Sequence, residues 1–311
     1  MDAAGGVRFS AQGGVMKILI SGASGFIGKA LVSSLAKEHQ VYTLVRKRKG
    51  KSGGKEIFWD IEKGDIETED DFDAIINLAG ENVSSGRWSD KRKEAILSSR
   101  VMATRTLVQF VLKKKNPPTT FINASAIGYY GINSTELKTE ESKRGDGFLA
   151  TVCEEWERAL LPVKDRGVRT VFLRTGIVLG HGGGVLAKMA LPFSLCLGGV
   201  IGDGSQSMSW VALDDLVSAV GFILTDKQIQ GPVNMVSPNP VSNREFTKEL
   251  SKAMRRPALI PMPKAIVRLM FGQMGDELLL SSQKVAPEKL LKNGFRFRFG
   301  TLDQALEHYI R

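Results

Sequence analysis

Strand-like and helix-like segments alternate along most of this chain, and that alternation restricts the fold more than any other feature. Apolar runs rich in β-branched and aromatic residues predict strands at 17–21, 40–45, 56–59, 74–80, 119–125 and 169–175. Segments with apolar residues at helical spacing lie at 28–38, 90–114 and 148–165. A repeated strand–helix–strand order requires a parallel sheet with helices on both faces and right-handed crossovers. The predicted fold class is therefore α/β, with a doubly wound parallel sheet.

The alternation weakens after about residue 180, where glycine-rich loops begin, and resumes with a helix at 214–225 and a strand at 231–236. We therefore expect residues 16–180 and about 212–240 to form the sheet domain. Residues 181–211 and 241–311 are expected to form a smaller C-terminal, substrate-binding region. The first fifteen residues are small, lack the apolar centre of a signal peptide and precede Met16, so they predict a disordered leader at 1–15.

Composition excludes several classes of protein. Of the 311 residues, 42% are hydrophobic and 24% charged, and no segment approaches the ~20 apolar residues of a membrane helix, so no membrane contact is expected. Cys153 and Cys196 have no metal-ligand spacing and the histidines are scattered, which predicts no metal site and a reducing, cytoplasmic location. The basic runs behind the net charge of +10, at 46–55, 113–115 and 255–256, lack interleaved aromatic residues. We expect solvated surface there rather than nucleic-acid binding.

Three glycines spaced three apart follow the first predicted strand and open the first helix. This position directs backbone N–H groups and the positive end of a helix dipole at an anion, usually a dinucleotide pyrophosphate. Gly22 would permit the tight turn, Gly25 would let the phosphates approach the backbone, and Gly28 would let the helix pack closely. The loop predicts a Rossmann-like dinucleotide-binding domain.

The end of the second strand indicates which dinucleotide is bound, because the adenosine ribose lies there. NAD sites favour a carboxylate at this place, accepting from the ribose 2′-hydroxyl. Here the strand ends in Arg46, and a guanidinium matches a 2′-phosphate with two parallel hydrogen bonds. The sequence therefore predicts NADP(H) rather than NAD.

Several motifs together resemble the short-chain dehydrogenase/reductase superfamily, in its extended, nucleotide-sugar epimerase-like branch: GASGFIG (22–28), NLAG (77–80) and NASAIGYYG (123–131). RTGIVLG (174–180) and GDGSQSMSWV (202–211) are similar to the atypical group described as epimerase family or cell-division inhibitor. The resemblance implies that these residues hold the cofactor: Gly22, Ser24, Gly25, Phe26, Ile27, Gly28, Arg46, Asp60, Asn77, Leu78, Ala79, Arg100 and Cys153.

One departure from this superfamily concerns its catalytic residues, a serine after the fifth strand and a Tyr-x-x-x-Lys pair on the next helix. Ser125 stands at the serine position. When the helix is aligned on Glu157, the tyrosine and lysine positions hold Leu149 and Cys153. None of the four tyrosines of the chain has a lysine four residues later, so the usual acid–base pair is absent.

Other side chains are candidates for the missing roles. Tyr129 and Tyr130 follow Ser125 in the loop where ligands bind, so Tyr129 is a candidate substrate contact and Tyr130 a candidate proton donor beside Ser125. Packing against the small domain explains both tyrosines as well. Gln206 and Trp210 offer an amide and a ring suited to sugars or bases, although Trp210 equally fits a core position.

Two functional hypotheses remain open. In the first, the protein is an NADP(H)-dependent oxidoreductase or epimerase with an unknown small-molecule substrate, for which nucleotide-sugar-like compounds are candidates. In the second, it is a catalytically silent, NADP(H)-binding regulatory protein. The resemblance also implies a homodimer, because related enzymes often use the helix around 149–157 for dimer contacts.

Overall fold

The computed structural model describes residues 14–47 and 55–310. The predicted leader, apart from its last two residues, and most of the basic run at 46–55 lie outside the described residues. The strands are β1 (Lys17–Ser21), β2 (Gln40–Val45), β3 (Glu56–Asp60), β4 (Asp65–Ile66), β5 (Ala74–Asn77), β6 (Thr120–Ala126), β7 (Asn133–Lys138), β8 (Arg169–Thr175), β9 (Ile177–Leu179), β10 (Ser207–Met208), β11 (Trp210–Ala212), β12 (Gly231–Met235), β13 (Val241–Ser242) and β14 (Ser282–Val285). The α-helices are α1 (Phe26–Leu35), α2 (Asp90–Lys113), α3 (Phe148–Arg158), α4 (Leu161–Asp165), α5 (Gly184–Ser194), α6 (Leu213–Thr225), α7 (Asn243–Met254), α8 (Lys264–Phe271), α9 (Glu288–Lys292) and α10 (Leu302–Ile310).

Eight strands form the central sheet in the order β12-β8-β6-β5-β1-β2-β3-β4. Neighbouring strands are parallel except for the short pair of β3 and β4. The chain proceeds from β1 toward β2 and β3, then crosses back to β5, β6, β8 and β12 on the other side of β1. This confirms the predicted doubly wound α/β fold. Its topological switch point lies between β1 and β5, where such sheets bind ligands at the carboxyl ends of their strands.

Successive side chains of the inner strands point to opposite faces of the sheet, so each face has its own core. On one face Ile18 and Ile20 of β1 pack with residues of α1 and α6. On the other face Leu19 packs with Leu107 of α2 and Phe121 of β6. All five side chains are fully buried, which explains why these strands read as nearly continuous apolar runs.

The predicted elements differ from the structure mainly at their ends and in the last third of the chain. The strand expected at 74–80 ends at Asn77, and the helix expected at 148–165 divides into α3 and α4. Pro162 lies in the first turn of α4, a position that proline tolerates because its missing N–H is not needed there. The region expected to be loops after residue 180 contains α5.

A second group of helices packs around Trp210, which is fully buried with Phe246 of α7 and Leu306 of α10. The C-terminal segment does not stay in that group throughout. Leu290 and Phe295 return to the core of the central sheet, where they pack with residues of α6 and β12. Among the described residues, no helix combines the length and the apolar character needed to cross a bilayer.

Candidate functional site

The glycine loop between β1 and α1 closes tightly against the end of β5. Gly22 has a φ of +70°, and a Cβ atom at this position would lie 2.7 Å from the carbonyl carbon of Leu78. A Cβ atom on Gly28 would lie 2.2 Å from the carbonyl oxygen of Gly22. Both sites therefore exclude a side chain, and the loop brings the start of α1 directly to the switch point.

The amino end of α1 is open. Its N-cap residue, Gly25, has no side chain to accept from the first-turn amides, and the first turn contains no acidic residue. Ser24 and Gly25 are exposed. The free N–H groups of Phe26 and Ile27 and the positive end of the helix dipole are thus available to an anion.

The ring of Phe26 joins this loop to the glycine-rich segment 180–184. A Cβ atom on Gly183 would lie 2.2 Å from a ring carbon of Phe26, and one on Gly180 would lie 2.7 Å from another. The glycines of this segment therefore let its backbone lie flat against the aromatic ring beside the helix terminus.

On one side of the switch point, β2 and β3 bring Arg46 and Asp60 to the same edge of the sheet. Arg46 directly follows β2 and is exposed. Asp60 ends β3 and accepts the backbone N–H groups of Glu62 and Lys63, each at 3.1 Å from Oδ1. The N–H of Lys63 is the main reason that the pKa of Asp60 lies below its usual value. Asp60 thus stabilises a turn, and Arg46 lies exposed at the same edge of the sheet.

On the other side, Asn77 holds the strand ends together. It lies at the end of β5, where its Oδ1 accepts from Ser21 Oγ at 2.5 Å and its Nδ2 donates to Thr104 Oγ1 at 2.9 Å and Asn123 Oδ1 at 2.7 Å. The amide is fully buried. Its side chain therefore holds the ends of β1, β5 and β6 together. The half-buried Leu78 and Ala79 follow β5 and border the crevice, by which we mean the space at the switch point beyond the carboxyl ends of β1 and β5.

Ser125 belongs to a buried polar group that we name the Glu157–Arg174 cluster: Ser125, Tyr129, Tyr130, Glu157 and Arg174. The Ser125 hydroxyl donates to Glu157 Oε1 at 2.7 Å. Arg174 donates to both carboxylate oxygens, from Nε and from Nη2, at 2.9 Å each. The side chains of Arg174 and Glu157 are only 5% and 12% exposed, so this is a desolvated ion pair with two hydrogen bonds.

Both tyrosines of the cluster pack on Arg174. Its guanidinium carbon lies 3.4 Å from the ring centroid of Tyr129 and 5.2 Å from that of Tyr130. The Tyr130 hydroxyl accepts from Arg174 Nη1 at 3.1 Å and donates to Asn234 Oδ1 at 2.7 Å. Burial raises the pKa of Tyr130 to about 12. The Tyr130 proton is therefore bonded inside the protein, and Tyr129 presents its ring to Arg174 of the central sheet. Both tyrosines also pack with Val285 of the C-terminal region, in line with the alternative of packing against the small domain.

Leu149 and Cys153, the two residues of α3 that the sequence alignment singled out, are half-buried and buried, respectively. Leu149 packs with Trp88, Phe148 and Met274 in a separate apolar cluster. Cys153 is buried, and its Sγ lies 3.6 Å from the carbonyl oxygen of Ala126. Burial, followed by the charge of Glu157, raises the pKa of the Cys153 thiol to about 11. Leu149 thus presents a hydrocarbon side chain and Cys153 a neutral thiol.

The first turn of α3 receives a carboxylate from the C-terminal segment. Glu277, itself buried, accepts the N–H groups of Phe148 at 3.1 Å and Leu149 at 2.9 Å. Gly147, with a φ of +117°, has no side chain that would block this approach. The amino end of α3 is therefore already neutralised by the protein, unlike that of α1.

Gln206 and Trp210, expected to contact substrate, have their polar groups bonded inside the protein. The Gln206 amide nitrogen donates to the carbonyl oxygens of Ile201 at 3.0 Å and Leu279 at 3.1 Å. Trp210 is fully enclosed, and its indole N–H donates to the Asn239 carbonyl at 3.0 Å. Gln206 fixes a loop and Trp210 fills the core of the small helical group, so the structure supports the core alternative for Trp210.

Sequence reasoning overlooked Arg174 and Glu277. A signal for Arg174 was present, because an arginine inside the apolar strand RTVFLRT must be buried with a partner. Glu277 had no such signal, since its role depends on a contact between segments far apart in the chain. Across the described ranges, no group of three or more histidine, cysteine or acidic side chains could hold a metal ion.

We expect alkylation to distinguish the two cysteines of the native protein. Iodoacetamide at pH 8 should modify the half-buried Cys196 at least about 100-fold faster than Cys153, because the raised pKa leaves about 100-fold less thiolate and burial blocks access. Mass spectrometry of the tryptic peptides measures both rates. In urea the rates should become similar. Equal rates in the native protein would contradict the buried, neutral thiol.

Comparisons with known proteins agree with this geometry. Residues 18–236 match the NAD dependent epimerase/dehydratase family, and residues 262–309 match a domain of unknown function. Epimerase family protein ML0860 of Mycobacterium leprae is 39% identical over 294 residues, which cover 94% of each chain. Human epimerase family protein SDR39U1 is 35% identical over 300 residues, covering 95% of this chain and 100% of that protein.

Solved structures give the same result. The crystal structure of human SDR39U1 (isoform 2) with NADPH has a TM-score of 0.86 at 35% identity and covers 95% of this chain and 99% of that chain. The UDP-glucose 4-epimerase of Thermotoga maritima, at 19% identity, has a TM-score of 0.75 and covers 95% of this chain and 97% of that chain. This second likeness concerns the fold alone.

Proposed function

The chain belongs to the NAD dependent epimerase/dehydratase family, and we propose that it binds NADP(H) and acts as an oxidoreductase or epimerase on a small molecule. The observation that carries the proposal is the open amino end of α1, with its uncapped amides and closely packed glycines, beside the exposed Arg46. The relative of 35% identity whose structure was solved with NADPH supports the same cofactor.

The residues of the crevice fit such a dinucleotide. We propose that the loop Gly22–Gly28 binds the pyrophosphate through its amides, and that Arg46 binds the 2′-phosphate with Asp60 bordering the adenine. Leu78 and Ala79 would line the nucleotide, while Asn77 keeps the strand ends in register. When bound, the cofactor supplies or accepts a hydride.

Ser125 is the polar group that we propose for substrate contact on the nicotinamide side. Because its hydrogen is donated to Glu157, the oxygen keeps its lone pairs for accepting a hydrogen bond. It would therefore accept a hydrogen bond from a substrate hydroxyl and orient it. The Glu157–Arg174 cluster holds the serine in that orientation. Tyr130 is left out of this proposal, since its hydroxyl is already bonded on both sides.

Three further proposals concern the substrate-binding region, the cellular compartment and the oligomeric state. We infer that residues 181–211 and 241–311 form the substrate-binding region, although α9 and Phe295 pack on the central sheet. The two free cysteines favour a reducing, cytoplasmic compartment. A homodimer through the helices that border the crevice is consistent with Met102 of α2, an apolar side chain that is 40% exposed.

The second candidate function is that of a regulatory protein that binds NADP(H) without turnover. One observation favours it: Leu149 and the neutral Cys153 stand where we expect the proton-transfer pair. In that case the protein would bind NADP(H) and regulate a partner through the bound state. The two candidates make different predictions for the same set of measurements.

We expect the wild-type protein to bind NADPH and to oxidise it in the presence of a substrate from a panel of carbonyl compounds and nucleotide sugars. Loss of the reduced-nicotinamide absorbance measures net reduction of a carbonyl compound. Chromatography of the nucleotide sugars measures epimerisation, in which the hydride returns to the substrate and the absorbance does not change. Ser125→Ala should lower the observed rate about 100-fold or more while leaving NADPH affinity nearly unchanged. Tight NADPH binding without turnover on any compound would favour the regulatory protein. Absence of NADPH binding would contradict both candidates.

A further inference from the structure

Arg100 is a cation fixed beside the crevice with most of its hydrogen-bonding capacity unused. It lies on α2, where its Nη1 donates to the Ile96 carbonyl at 2.9 Å and its guanidinium carbon lies 5.0 Å from the ring centroid of Trp156. The side chain runs along Gly80, where a Cβ atom would lie 3.1 Å from the arginine Cγ and Cζ. Gly80 is the third residue after β5, at the rim of the crevice, so the guanidinium lies at that rim too.

Two nitrogen atoms of Arg100, Nε and Nη2, have no hydrogen-bond partner within the described residues, and the side chain is half-buried. Neither nitrogen is fully enclosed by protein atoms. In the described part of the chain, enclosed side-chain atoms without a partner occur at Arg92, Arg144 and Thr247. A guanidinium with a fixed ring contact and two accessible donors is already organised to bind oxygen atoms.

The charge of Arg100 is retained at neutral pH. Burial lowers its pKa to about 10, while the neighbouring Cys153 and Glu81 act in the opposite direction. Glu81 itself pairs with Arg92 at 3.2 Å, so no carboxylate is committed to Arg100. The cation therefore stands next to the thiol that occupies the lysine position of α3.

The sheet order determines which half of a bound dinucleotide would reach this cation. Arg46 marks the side of β2 and β3 as the site of the phosphorylated adenosine half. The second half must then lie across the switch point, over the ends of β5 and β6. Arg100 borders that side, between Gly80 after β5 and Trp156 of α3, which is itself tied to α2 by a 3.0 Å hydrogen bond to Thr104.

From this arrangement we propose, on the basis of the proposed NADP(H) binding, that Arg100 holds the nicotinamide half of the cofactor by donating to its ribose hydroxyls, in place of the lysine that α3 lacks. Arg100 is thus a positioning residue for the nicotinamide ring. The cation would thus lie on α2 instead of α3 and would still border the crevice.

Calorimetric titration with three ligands tests the proposal: NADPH, 2′-phospho-ADP-ribose, which lacks the nicotinamide, and adenosine 2′-phosphate 5′-diphosphate, which keeps both phosphates of the pyrophosphate but also lacks the second ribose. Arg100→Met should weaken the first two by about 10-fold or more and leave the third within about twofold. Arg100→Lys, which keeps the charge but not the planar fork, should give an intermediate loss. Arg105→Met, an exposed position on the same helix, is the matched control and should change none of the three affinities.

Each alternative outcome overturns the inference. Equal losses for all three ligands, or none, would show that Arg100 does not contact the second half. A loss for NADPH alone would place the contact on the nicotinamide ring and not on the ribose. Should Arg100→Met fail to fold, the same three-ligand comparison on Arg100→Lys decides. Failure of the wild-type protein to bind NADPH would instead contradict the proposed function.

Discussion

Arg46→Glu is expected to weaken NADPH binding by about 100-fold, which corresponds to about 2.7 kcal/mol, and to leave NADH binding nearly unchanged. The substitution removes a charge-assisted pair of hydrogen bonds and places a carboxylate beside the 2′-phosphate. Because Arg46 is exposed after β2, the fold should not be affected. Fluorescence titration of the reduced nicotinamide measures both affinities.

Lys227→Glu provides the matched control for that charge reversal. Lys227 is exposed in the loop before β12, at the amino ends of the strands and therefore at the opposite edge of the sheet. Lys227→Glu lowers the net charge as much as Arg46→Glu does. Any loss of NADPH affinity caused by the electrostatic field of the whole protein would therefore appear in both variants. If the two variants behaved alike, or if Arg46→Glu weakened NADH as strongly as NADPH, the 2′-phosphate assignment would be wrong.

Glu157→Gln is expected to destabilise the protein by about 3–5 kcal/mol, since it leaves the Arg174 cation buried without its counter-charge. The hydrogen bond from Ser125 loses its ionised acceptor in the same variant. Urea unfolding followed by circular dichroism measures the change. We expect the midpoint to fall strongly with little change in the slope of the transition.

Two comparisons separate the buried charge from a general effect of the helix. Glu155→Gln, on the same helix, breaks a surface pair with Arg158 and should cost less than about 1 kcal/mol. The double variant Glu157→Leu, Arg174→Met removes both buried charges. Its loss of unfolding free energy should therefore be smaller than the sum of the losses in the single variants Glu157→Leu and Arg174→Met. Additive costs, or a Glu157→Gln protein as stable as the wild type, would contradict the importance of this ion pair.

The sheet could be predicted from the sequence because its strands are buried on both faces. β1 and β8 have buried apolar runs at their centres, and the predicted limits of β1, β2 and β8 agree with the structure. The pair of β7 and β14 was missed, since both strands are short and polar and pair across more than a hundred residues. Local sequence contains no sign of such a contact.

The candidate site shows a different limit. The glycine spacing predicted a tight turn at Gly22 and close packing at Gly28, and the structure has both. This prediction was possible because the absence of a side chain is a local property of the sequence. The direction of a polar side chain is not local. Asn77, Tyr130 and Gln206 have suitable chemistry, yet partners from distant segments use their polar groups inside the protein.

Glu277 has a consequence for motion. Its carboxylate binds two amides of α3 from a segment that is itself matched as a separate domain, so the boundary between the two sequence families does not divide the molecule mechanically. A rotation of the C-terminal segment pulls on the first turn of α3, which carries Leu149. The C-terminal segment and the first turn of α3 are therefore expected to move together.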